Sequence, residues 1–237
     1  MKRIIIFSIA LSIFLGAVLI NAQDQQSAAS KAISGMKYPE LKWNVPQVGR
    51  EVTREVLPNG LVLFFMENHE LPLISANALI RTGSIYDPKE KMAVAGITGS
   101  VMRTGGTKSY SPDSLNALLE FIAGSVESGI GLESGSVSMS VMAKDLNTGL
   151  KVLYEVLRYP AFDSAKIELE KSQIKESIRR RNDRPESIVS REFDHLVYGD
   201  HPYGRILDWD YVKNIGRYDL VRYHDLYFHP NNIMIAF

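Results

Sequence analysis

The stretch Val94–Thr107 limits both what this chain can build and what it can do. It reads as a helix closed by a Gly105-Gly106 stop. Residues three and four apart share a helix face, so Gly96, Gly99 and Ser100 form one patch. That patch offers two hydrogens and a hydroxyl. Glycine inside a helix costs about 1 kcal/mol against alanine, so neither Gly96 nor Gly99 serves helix stability. The expectation is that both let a neighbouring helix or strand approach closely.

The bulk properties exclude several function classes. With 237 residues, 45% hydrophobic and 23% charged, the chain can bury one large core or two small ones. Lys+Arg and Asp+Glu both number 27, so nothing points to a nucleic-acid partner. The absence of cysteine removes disulfides, thiolate metal sites and a cysteine nucleophile. Residues 1–22 read as a signal peptide: Lys2 and Arg3, an apolar run from Ile4 to Ile20, then Asn21-Ala22 before Gln23. An uncleaved anchor is the alternative. The expected location is outside the cytoplasm, periplasmic or secreted, with no membrane span after signal cleavage.

Residues 23–44 read as a polar leader and linker, and Tyr38–Gly49, with Tyr38, Leu41 and Trp43 apt to pack, reads as an extended strap on the domain. Residues 45–237 read as one domain. Asn59-Gly60 between apolar runs signals a hairpin, and Leu73–Ile80 is a nearly all-apolar strand expected at the centre of a sheet. Ser111-Pro112 opens a helix with Leu115, Leu118, Leu119 and Ile122 inward, ended by Gly124. Residues 125–131 and 134–143 form an antiparallel pair, and Asp145 caps the helix after them. A charged helix spans about Ser164–Asn182. Another runs from Pro185 to Tyr198 with Ile188, Val189, Phe193 and Leu196 expected inward. A last helix over Asp219–Tyr227 leads to the apolar strand Ile233–Phe237, which the chain does not follow with a turn or polar ending. An unpaired edge there would make the chain unstable alone, so it is expected to continue into a second domain. Strands and helices mix without regular alternation. The fold class is α+β: a mainly antiparallel sheet with helices packed on one face.

Few residues of the chain are arranged for chemistry. The histidines are His69, His195, His201, His224 and His229, no two of them three or four apart, and each reads as a surface or packing residue. Ser172-Gln173-Ile174-Lys175 fits Ser-x-x-Lys only formally, lying mid-helix in a charged run. Arg179-Arg180-Arg181 with Arg184 follows Glu168, Glu170 and Glu176 and reads as a solvated face.

Six short pieces occur in a telling order: Leu57-Pro58-Asn59-Gly60-Leu61; Gly83-Ser84 with an acidic turn; Gly105-Gly106-Thr107-Lys108; Tyr159-Pro160-Ala161-Phe162; Tyr198-Gly199-Asp200-His201-Pro202-Tyr203-Gly204-Arg205; and Tyr227-Phe228-His229-Pro230-Asn231-Asn232. From about residue 45 onward the chain resembles the N-terminal domain of the pitrilysin/insulinase family of zinc metallopeptidases, which includes the mitochondrial processing peptidase subunits. In that family the helix before the Gly-Thr stop carries His-x-x-Glu-His, and a Glu on a later helix completes the zinc site. The resemblance places these ligands on Gly96, Gly99, Ser100 and Ser177. Sliding by one residue puts the first three on Ile97, Ser100 and Val101, and a slip of the later helix puts the fourth on Glu176. Neither register restores the set, although Glu170 matches a second acidic position that the family keeps.

The resemblance therefore implies a non-catalytic member with no cofactor, zinc having been lost. It further implies pairing with a homologous zinc-bearing subunit and a share in a chamber that holds peptides. The alternatives are a stand-alone envelope scaffold or binding protein reusing the fold, and an active zinc endopeptidase with atypical ligands.

Overall fold

The computed structural model describes residues 27–37 and 45–237. The signal segment and the strap residues Tyr38, Leu41 and Trp43 lie outside the described residues. The chain divides into two units, Met1–Val45 and Pro46–Phe237. In the first, the stretch read as a polar leader contains a helix, α1 (Ala28–Ser34), whose N-cap Ser27 accepts a hydrogen bond from Ser30 N. Its alanines favour helix, and the serine supplies the cap that short helices need.

The second unit is built on a six-stranded sheet with strand order β1-β2-β6-β3-β5-β4. The strands are β1 (Thr53–Val56), β2 (Val62–Phe65), β3 (Leu73–Ile80), β4 (Ser125–Ile130), β5 (Gly135–Met142) and β6 (Ile233–Ala236). The Asn59-Gly60 signal does make a hairpin between β1 and β2, with Val56 opposite Val62. The turn is wider than two residues: Gly60 N donates to Leu57 O, Asn59 Oδ1 accepts from Leu61 N, and Gly60 takes φ +86°. β3 is central, as its composition predicts, between β6 and β5. Every pairing is antiparallel except that of β2 with β6, so the sheet is mixed.

Alternation along the strands decides which face is covered. Ala76, Ala78 and Ile80 of β3 and Val137, Met139 and Val141 of β5 are buried, while Leu73 and Leu79 stay exposed. On the buried face lie α2 (Val94–Thr104), α3 (Pro112–Phe121) and α4 (Leu146–Arg158), with α5 (Ser164–Arg180) against α2. Then follow α6 (Pro185–Tyr198), α7 (Trp209–Val212) and α8 (Arg217–Tyr227). In α3 and at its C-cap, Leu115, Leu119 and Ile122 are buried as expected and Leu118 is half-buried. The left-handed residue after α3 is Ala123, one place before the glycine that was expected to end it. Asp145 precedes α4 but its side chain makes no capping bond.

Two expectations are overturned. The helix α6 does not turn Val189, Phe193 and Leu196 inward: they are exposed, Leu196 at 83%, and Ile188 is only half-buried. A helical period identifies the apolar face of a helix but not whether anything in the chain covers it. Nor does the last strand leave an open edge. β6 pairs on both sides, Val62 with Met234 in parallel and Ile80 with Ile233 antiparallel, and Phe237 stacks on Phe65. Adjacency in a sheet is set by topology, which a strand's own sequence does not carry.

These positions give a paired test by chemical denaturation. Leu115→Ala, at a fully buried site, is expected to cost about 2–5 kcal/mol. Leu196→Ala on α6 is expected to stay within about 0.5 kcal/mol. Equal losses would show that α6 is packed against the body.

Candidate functional site

The helix α2 is placed by its ends. Its first amides are satisfied from a distance: Asp87 Oδ2 accepts from Ala93 N (2.9 Å) and Oδ1 from Ala95 N (3.2 Å). The same residue's carbonyl accepts from Arg205 Nη1 (2.9 Å), which ties the turn to the Gly199–Arg205 loop. Ala93, at the start of the helix, sits at φ +80°. At the far end Gly105 caps the helix and Gly106 takes the left-handed turn. Nothing in the sequence assigned this capping role to Asp87, because the cap lies seven residues upstream of the helix rather than at its start. Burial pushes the Asp87 carboxyl up to about 7, against the pull of the Ala95 and Ala93 amides and of Arg205.

The helix lies along β4, one of the two edge strands of the sheet. Gly99 makes this possible. A Cβ there would stand 2.3 Å from Ile130 N and 2.8 Å from the Gly129 carbonyl carbon, inside backbone that cannot yield. Around the contact, Ser128 Oγ donates to Gly99 O (2.6 Å) and Arg103 Nε donates to Val126 O (2.9 Å). The expectation of close approach therefore holds at Gly99. It fails at Gly96, where a Cβ would meet nothing within 4 Å.

Ser100, on the next residue of the patch, donates to Glu170 Oε2 of α5 (2.9 Å). The structure thus brings Gly99, Ser100 and Glu170 together where α2 meets β4 and α5. It leaves Ser177 apart, exposed further along α5. Glu176 is also turned away, its carboxyl held below the usual range by hydrogen bonds from Arg179 (2.8 Å). In the alternative register, Ile97 and Val101 are fully buried hydrocarbon. Zinc takes three protein donors, usually imidazole or carboxylate, and a water. The side chains at these positions do not fit it, and among the described residues no three His, Asp or Glu converge as a metal needs. Ser172 and Lys175 have no shared chemistry either: Ser172 Oγ donates to Glu168 O, and Lys175 lies over the Trp209 ring.

Residues 66–208, more than half of the 237, match the family described as Insulinase (Peptidase family M16). The chain belongs to that family. Its similarity to the uncharacterized zinc protease YmxG of Bacillus subtilis is 23% identity over 189 residues, covering 78% of this chain and 46% of that protein. In fold it is similar to a peptidase M16 inactive domain from Pseudomonas fluorescens, with a TM-score of 0.73 and 21% identity over 78% of this chain and 45% of the other. It is also similar to the periplasmic protease PqqL of Escherichia coli, with a TM-score of 0.72 and 13% identity over 92% of this chain and 27% of the other. The chain spans about half the length of the curated relative it matches.

Two measurements test this insulinase-family site. Gly99→Ala is expected to destabilise by about 1–3 kcal/mol through overpacking against β4. Gly96→Ala is expected to stabilise by about 0.5–1 kcal/mol, since its new methyl enters open space on a helix. A tolerated Gly99→Ala would refute the close contact.

The Asp87 carboxyl, raised in the folded state, binds its proton more tightly there than in the unfolded chain. Stability from this group is therefore greatest below the unfolded pKa of 3.8 and falls as pH rises toward 7. Wild type should lose stability relative to Asp87→Asn as pH rises across that window, by up to about 1.4 kcal/mol per pH unit. A difference that is flat with pH would contradict the shift.

Proposed function

We propose that this chain is a non-catalytic, peptidase-like unit that pairs with a homologous zinc-bearing partner and forms part of the wall of a peptide-holding chamber outside the cytoplasm. The observation that carries the reading is Gly99. A general base at the position the resemblance assigns to glutamate needs a side chain, and the backbone of β4 already fills the place of its first carbon. Ser100, where the resemblance assigns a second imidazole, is a hydroxyl spent on Glu170. The loss is therefore accommodated by packing, and restoring single ligands would not rebuild a metal site.

A homologous partner is supported by the relatives. The chain covers 45% of the Pseudomonas fluorescens protein, which is described as an inactive domain, and 27% of PqqL, described as a periplasmic protease. The uncovered face of α6 is apolar surface of the kind that an interface removes from water. Export rests on Lys2 and Arg3 ahead of the apolar run.

The test is to isolate the protein from its own cells with whatever stays bound. The expected result is a complex with a homologous peptidase, zinc on the homologue alone, proteolysis abolished by chelation while the complex persists, and a mature chain beginning near Gln23. About one zinc on this chain by itself, with chelator-sensitive cleavage of peptides, would overturn the reading. So would isolation of the chain without any homologue.

A further inference from the structure

Two of the motifs, Gly105–Lys108 and Tyr159–Phe162, serve no step in the reading above, yet together they build a cleft. Lys108 N donates to Tyr159 O (2.9 Å), Ala161 N donates to Gly106 O (3.0 Å), and Thr107 bridges to Pro160. The helix α8 closes the remaining side. The cleft has a volume of about 390 Å³ and is rimmed by Lys108, Arg158 and Arg217. These cations come from three different segments. Lys108 Nζ and the Arg158 guanidinium lie 5.6 and 5.8 Å from the centre of the same Tyr159 ring. Arg217 is held at the mouth by its Nε, which donates to Ala161 O (3.1 Å).

The positive charge is not answered locally. Among the described residues, none of the three cations has a carboxylate within ion-pair distance. Asp225 is the one acid on the rim, and its carboxylate faces His224 Nδ1 (3.9 Å). Glu155, beneath the floor, accepts from Thr107 Oγ1 (2.7 Å) and Ser109 N (3.2 Å). His224 is buried and donates its Nε2–H to Leu157 O, so it closes the floor rather than offering a hydrogen bond to the cleft. Two cations on one aromatic ring repel each other, and each exposed cation–π contact returns only about 0.5–1 kcal/mol. Guanidinium forks pair with planar or tetrahedral oxyanions through two hydrogen bonds at once.

We propose that this cleft is a binding site for an oxyanion, carboxylate or phosphate, held between Lys108, Arg158 and Arg217. A single compact cleft in a chain of balanced charge suits one anionic group rather than the extended backbone of a nucleic acid. The source is either an acidic side chain of a polypeptide or a free phosphate. The site does not depend on the proposed pairing, and its failure would leave that reading untouched.

The experiment is an NMR titration of the isotope-labelled full chain with inorganic phosphate, tetraglutamate and, as control, tetraglutamine, at low and high salt. Saturable, salt-sensitive shifts centred on Lys108, Tyr159, Ala161 and Arg217 are expected with at least one anion and not with tetraglutamine. Whichever anion binds more tightly identifies the source. The double substitution Arg158→Gln and Arg217→Gln is expected to weaken binding about tenfold or more. If that variant does not fold, Lys108→Gln, an exposed side chain resting only on a ring, is expected to weaken binding several-fold. The proposal is overturned if neither anion produces saturable shifts at these residues, if the neutral peptide binds equally, or if the folded variants bind like wild type.

Discussion

The contact of α2 with β4 is the constraint on which the rest of the domain depends. A helix can lie this close to strand backbone only where it presents no side chain, and Gly99 provides that one position. Once seated, the helix buries Val94, Ala95, Ile97, Val101 and Met102 in the common core. It also occupies main-chain groups that an edge strand would otherwise expose: Val126 O accepts from Arg103, and Ile130 N lies under Gly99. The position to which the family resemblance assigns a carboxylate is thus the position that packing needs empty.

The six short pieces that run through the sequence meet in three pairs. The β1–β2 turn meets the loop before β6, where a Cβ on Gly60 would stand 2.7 Å from Asn231 Cβ. The acidic turn meets the Gly199–Arg205 loop through the Asp87 carbonyl and Arg205. The stop after α2 meets the break after α4 through Thr107 and Pro160, with buried Glu155 accepting from the Thr107 hydroxyl. Each pair joins segments far apart in the chain, so the motifs act as fasteners between elements. This gives such pieces a structural reason to occur together, independent of any metal site.

The surfaces left open are unequal. The uncovered sheet face carries Leu73 and Leu79 among serines and Asn77, whereas α6 exposes Val189, Phe193, Leu196 and Val197 along one side. The second is the more apolar and stands away from the core, held chiefly through the Pro202–Gly204 turn and a contact of His195 Nδ1 with Gly204 O. A domain with one such face has a reason to be joined to something else.

Local rules were enough to read much of this from the residues. The hairpin at Asn59-Gly60, the Ser111-Pro112 helix start and the strand pair ending at Met142 all follow from turn chemistry, capping or spacing, which a short window contains, whereas the assignment of metal positions to Gly96, Gly99 and Ser100 rests on the family resemblance. Other features were set by which distant segments meet. Gly96 and Gly99 look alike in sequence, yet only Gly99 faces backbone, because only β4 passes there. Asp87 becomes a helix cap through the fold of its turn, and β6 becomes an inner strand because β2 and β3 flank it. The apolar side of α6 is fully legible, but whether it is covered is not, since amphipathicity belongs to one helix and burial belongs to its neighbours.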